Sequence, residues 1–124
     1  MTELEHVLDA DVRDAAHAVV GAAVAELDRQ ADAIAGVPPL PGTAEWDAEQ
    51  GTDGPARREL AWQVAGFRIA LAAGLDPLPF LVGLRRIGTS WETIGRAAGI
   101  TRQSAHERWS ARVAEVLGDG ADRP

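Results

Sequence analysis

The chain has no cysteine among its 124 residues. That excludes a disulfide, a thiol nucleophile and a thiolate metal site, and it suits a reducing compartment. No apolar run reaches the roughly 18 residues that a membrane-spanning helix requires. The amino terminus, MTELEHVLDAD, is acidic where a secretory leader starts basic and turns apolar. A cytoplasmic location, away from membranes, is therefore expected. The three histidines, at positions 6, 17 and 106, are too scattered for a ligand set, and Asp9, Asp14 and His17 read as a solvated helix face. There is no HExxH, phosphate loop or dinucleotide fingerprint, and Ser90, Ser104 and Ser110 lack a base-and-nucleophile arrangement. Neither an enzyme nor a bound metal or cofactor is expected.

An apolar content of 46% with dispersed Gly and Pro suits a single compact domain. The net charge of −7 argues at first against nucleic acid, because binding a polyanion depends on neutralising its phosphates. The distribution argues differently. Residues 1 to 84 hold 14 acidic and 5 basic side chains, whereas residues 85 to 112 hold 6 arginines against Glu92 and Glu107. A basic segment thus sits in an acidic chain, a pattern that permits DNA binding with little long-range attraction.

Helical periodicity dominates the chain. Thr2 and Glu5 fit a capping box, and Leu4, Leu8, Val12, Val19, Val20, Ala23, Val24, Leu27, Ala31 and Ile34 follow at helical spacing. One long helix is predicted over about 3 to 35, with either Asp9 or Asp11 able to cap a second helix should it break. Val20, Val24, Leu27, Ala31 and Ile34 step by four and three, the spacing of a coiled-coil seam. The seam is either a homodimer contact or a face packed on the same chain. Gly36, Pro38, Pro39 and Pro41 end the helix, and a Pro/Gly-rich loop is predicted over 36–55, longer than compact domains usually tolerate unless something pins it. Trp46 is the candidate pin, folded over a helix surface or contacting a partner or ligand. A helix starting at Pro55 follows, its wide stripe of Leu60, Val64, Phe67 and Leu71, broadened by Trp62, Ala65 and Ile69, marking a central strut closed by Gly74. Asp76 and Pro77 open a shorter helix to about 87, with Phe80, Leu81, Leu84 and Ile87 facing inward.

The most informative stretch is GTSWETIGRAAGITRQSAHERWSA, residues 88–111. Thr89 or Ser90 can cap a helix, and Thr89 with Glu92 fits a capping box. Trp91, Ile94 and Ala98 share one face, and Gly95 on that side permits close approach of another helix. Gly99 suits a left-handed stop, Ile100 returns to the core, and Thr101 caps the next helix. A connection this short joins two helices at a steep angle.

The wording SWETIGRAAGITRQSAHERW resembles the helix-turn-helix of bacterial transcription regulators and is similar to the DNA-binding fourth region of sigma factors, over about residues 77–112. The resemblance gives Gly95 the small position of the first helix and Gly99 the turn. It places Ile94, Ile100, Ala105 and Trp109 inside and makes 101–117 the recognition helix. The chain departs from the pattern in the bulk of Trp109 and in Gly95 where alanine is usual, a substitution worth about 1 kcal/mol of helix propensity.

With Ala105 and Trp109 inward, a turn of 100° per residue points Gln103, His106, Glu107 and Ser110 outward, flanked by Arg102 and Ser104. Arg102, Gln103, His106 and Glu107 are the candidate base contacts: Arg pairs with guanine, Gln with adenine, Glu accepts from cytosine, and His donates to a base acceptor. Arg85, Arg86, Arg96, Thr101 and Ser104 are the candidate phosphate contacts. The expectation is an all-α protein of about five helices. Residues 1–74 form an assembly or oligomerisation region, 75–118 a helix-turn-helix unit, and 119–124 a frayed tail. Its expected function is sequence-specific binding of double-stranded DNA in transcription regulation, with a homodimer built on the seam. The alternative is a protein-interaction module that docks polymerase, a sigma factor or a toxin, for which the acidic N-terminal half is suited.

Overall fold

A computed structural model describes residues 2–118, so the tail expected to fray at 119–124 lies outside the described residues. The protein is all-α. Among the described residues there are seven helices and no strand: α1 (Glu3–Asp9), α2 (Arg13–Ala35), α3 (Ala44–Glu49), α4 (Gly54–Ala73), α5 (Leu78–Arg86), α6 (Trp91–Ala98) and α7 (Arg102–Leu117). None is long and apolar enough to cross a membrane.

Two of the seven arise where the sequence predicted something else. The single helix over 3–35 is broken, with Ala10 extended at φ −65° and ψ 137°. Asp11 causes the restart: its carboxylate accepts the backbone N–H of Arg13 at 3.0 Å and also takes the Arg13 guanidinium, at 2.8 Å from Nη2. A short acidic side chain that captures the backbone two residues on competes with helix continuation. The second is α3, inside the predicted loop. Thr43 caps it by accepting from the N–H of Trp46 at 3.2 Å, and Arg58 of α4 grips Glu49 through two bonds of 2.7 and 2.5 Å. The segment is thus pinned by this ion pair, and Trp46, the residue expected to pin it, is half-buried.

The strut, α4, packs on α2 along one side and on α5 and α6 along the other. Toward α2, the indole N–H of Trp62 donates to Asp32 at 2.9 Å. Leu27 and Ala31 are buried in this contact within the chain, while Val20, Val24 and Ile34 remain exposed. The seam residues therefore divide, and Leu27 and Ala31 are closed to a second copy. Toward α5, Gly66 lies so close to Phe80 that a Cβ would stand 2.1 Å from the ring. The core itself joins Phe67 of α4 to Leu81 and Leu84 of α5, Trp91 and Ile94 of α6, and Ala105, Trp109 and Val113 of α7. It runs across residue 74, so α4 belongs to the same packed body as the three helices that follow. Ile87, expected inside, is exposed at the carboxyl end of α5.

Within 88–118 most local features match the sequence. Ser90 caps α6 by accepting from the N–H of Thr93. The Thr89–Glu92 box does not form, since Thr89 is buried beneath the turn and Glu92 is exposed. Gly99 takes the left-handed conformation at φ 75°, and Thr101 caps α7 by accepting from Ser104. Trp109 meets Phe67 edge-on with ring centroids 5.4 Å apart, which gives its bulk a destination across the core. The glycine at 95 also has a reason. A Cβ there would lie 2.8 Å from the carbonyl oxygen of Ile100 and 2.9 Å from that of Thr101, both backbone atoms that cannot rotate away.

Gly95→Ala is therefore expected to destabilise the protein by about 1–3 kcal/mol through overpacking, despite alanine's better helix propensity. Urea unfolding checks this; a more stable variant would disprove the tight approach. A second expectation concerns Asp76, whose carboxylate takes Arg112 of α7 at 2.8 and 3.1 Å and also accepts from the N–H of Leu78. The Arg112 guanidinium, then the Leu78 N–H, hold its carboxyl below the ordinary value of 3.8. A depressed carboxyl stabilises the fold above the unfolded value and loses that contribution as pH falls through the folded one. Asp76→Asn should thus lower the urea midpoint slightly at pH 7, both partners being about half exposed. The difference should shrink in acid below 3.8, and one that persisted unchanged there would disprove the assignment.

Candidate nucleic-acid interface

The first turns of α7 form an exposed ridge. Thr101, Arg102, Gln103, Ser104 and Glu107 all face solvent, because Ala105, Trp109 and Val113 occupy the opposite, buried side of the helix. Arg102 stands at the helix's first position. Gln103 donates from Nε2 to Glu107 Oε1 at 3.1 Å, so these two candidate base contacts hold one another in the free protein. Thr101 and Ser104 share the capping bonds: the Ser104 N–H reaches Thr101 Oγ1 at 3.1 Å and the two hydroxyls lie 3.0 Å apart.

His106 is placed differently from its neighbours. It is half-buried, and its ring meets Trp91 of α6 edge-on at 5.5 Å between centroids. It lies at the α6–α7 junction, at the flank of the ridge.

The arginines divide by role. Arg85 is turned into the fold: its Nη1 donates to the carbonyl of Thr89 at 2.7 Å and its guanidinium carbon lies 5.0 Å from the centre of the Trp91 ring. Both contacts close the α5–α6 turn. Arg86 and Arg96 are exposed, as is Arg108, which rests over Trp109 at 5.1 Å. Sequence reasoning missed Arg68. It projects from α4 into a depression of about 560 Å³ that it shares with Thr93, Arg96 and Gly99. Counted among the acidic first 84 residues, it gave no signal of its own; its place beside Phe67, on the edge of the strut's apolar stripe, was the available hint. Arg68 and Arg96 thereby put two cations from different helices on one concave surface.

The arrangement can present planar, bidentate donors to anionic oxygens, because every cationic side chain of the protein is arginine and none is lysine. Glu92 and Glu107 are exposed on the same two helices and limit how positive this surface becomes. No protein-family model matches the chain, and no curated protein or solved structure matches it either.

Proposed function

We propose that the protein binds double-stranded DNA with the amino-terminal half of α7 in the major groove and acts as a transcription regulator. The observation that carries this reading is the exposure of Arg102, Gln103 and Glu107 together on the outer side of α7, whose inner side is locked into the core by Ala105, Trp109 and Val113. A helix held rigidly by one face, with hydrogen-bonding side chains of the base-reading types on the other, is the geometry that groove recognition requires. Arg68, Arg86 and Arg96 are assigned to phosphates, together with Thr101 and Ser104. Arg85 is left out, since its guanidinium is engaged by Thr89 and Trp91.

Glu107 in the middle of the ridge, bonded to Gln103, favours a second reading in which the same helix-turn-helix docks a protein such as polymerase, a sigma factor or a toxin. Salt separates the two. On DNA, log affinity should fall with log salt by about 0.9 per phosphate contact, so Arg96→Ala and Arg68→Ala should each flatten the slope by about one contact. Arg102→Ala should cost about 1–3 kcal/mol on the selected site and relax the preference for one base pair. Arg85→Ala should lower the melting temperature while leaving the slope unchanged. Selection from random duplexes followed by titrations at several salt concentrations measures all of these. Enrichment of no motif at low salt would transfer the ridge to the protein-docking reading.

A further inference from the structure

The amino-terminal half of α2 carries apolar surface that α4 leaves uncovered. α2 outruns the helix that covers it: Leu27 and Ala31 are buried against α4, but Val19, Val20 and Val24 are 50–68% exposed. Between this half of α2 and the α4–α5 corner runs an apolar groove of about 550 Å³, floored by Leu27, Trp62 and Phe80. Trp62 and Phe80 lie 5.6 Å apart, a rigid aromatic wall of the kind that anchors a partner's side chain.

We propose that this groove receives a cationic amphipathic helix of a partner protein. Two features identify the occupant. The first is extent. The groove runs beside Val19, Val20, Val24 and Leu27, about two turns of α2. An elongated apolar groove along a helix fits another helix laid in it rather than a small molecule. The second is charge. Turning 100° per residue along α2 puts Glu26, which pairs with Arg29, and Asp28 on the two edges of the apolar strip, and Asp28 lines the groove together with Asp76, which Arg112 holds. Residues 1 to 29 hold seven carboxylates against Arg13 and Arg29. A second copy would bring the same negative arm against itself, and DNA or an anionic bilayer would be repelled likewise. A helix with apolar residues at i, i+3, i+4 and i+7 and arginine or lysine on its flanks satisfies both the groove and its rim.

The probe is a synthetic peptide of about five helical turns, leucine at those positions and lysine elsewhere. Two controls keep its length: leucine with glutamate, and serine with lysine. Titrated into the full chain, the Leu/Lys peptide should bind and shift the amide resonances around Val20, Val24, Trp62 and Phe80. Neither control should do so. Binding should weaken at least about tenfold in the Val20→Ser, Val24→Ser double variant, whose changed side chains are exposed and leave the fold intact by circular dichroism. Asp28→Asn should reduce the salt dependence of binding. Equal binding of the Leu/Glu or Ser/Lys control, or full affinity in the double variant, would overturn the proposal. So would light scattering that finds a dimer of the chain which the double variant dissolves, since the groove would then belong to a second copy. None of these readouts involves the α7 ridge, so the DNA-binding reading stands or falls separately.

Discussion

The passage of α6 over the backbone of the turn at Ile100 and Thr101 is the contact on which the rest of the molecule depends. With no Cβ at Gly95, the helix comes within van der Waals range of two carbonyl oxygens, and the direction in which α7 leaves the turn is set by that approach. Once α7 is aimed, Ala105, Trp109 and Val113 follow one another down its inner side into the pocket formed by Phe67, Leu81, Leu84, Trp91 and Ile94. The exposed ridge is the geometric complement of this packing. A helix can present only what it does not bury, so the identity of the outward residues is decided by the inward ones.

Features fixed by a few neighbouring residues were legible in the sequence. The Thr2–Glu5 box, the serine and threonine caps of α6 and α7, the left-handed Gly99 and the inward Ala105 and Trp109 all depend on spacing over one or two turns. The break at Asp11 is local as well: the sequence offered it as an alternative to one continuous helix, and the bond to Arg13 decides for it because no tertiary contact rewards one more turn. Features that depend on distant partners were not legible. α3 is six residues long, too short to persist in isolation, and it survives through Arg58 nine positions further on. The seam had the right spacing for either a partner chain or α4; only the position where α4 ends decides that Leu27 and Ala31 are covered while Val20 and Val24 are not. Of the candidate site, the outward Arg102, Gln103 and Glu107 were readable, whereas His106, expected outward, is half-buried beside Trp91. The inward turn of Arg85 and the arrival of Arg68 beside Arg96 required the helices to be placed in space first.

The charge distribution makes sense only on this folded arrangement. Along the chain, acidity and basicity appear as successive blocks, but α4 brings Arg68 from the acidic block to the basic face and Asp76 leaves that block to hold Arg112. The molecule therefore has an arginine surface around α6 and the start of α7 and a carboxylate-rich arm made of α1 and α2. With a screening length of about 8 Å at physiological salt, two such surfaces on one small protein act almost independently.

α4 is what allows them to coexist. Its Trp62 side faces α2 and the apolar groove, its Phe67 side enters the core, and its Arg68 emerges on the face shared with α6. A single helix of twenty residues thus touches all three regions, and its length is used in full. Each side has a different chemical requirement: an indole that can donate to Asp32, an aromatic ring that can receive Trp109 edge-on, and a cation that tolerates solvent. That is why its apolar stripe is too wide for a helix packed on one side only and is interrupted by an arginine. The interruption marks where the strut changes from supporting the fold to contributing to its outer surface.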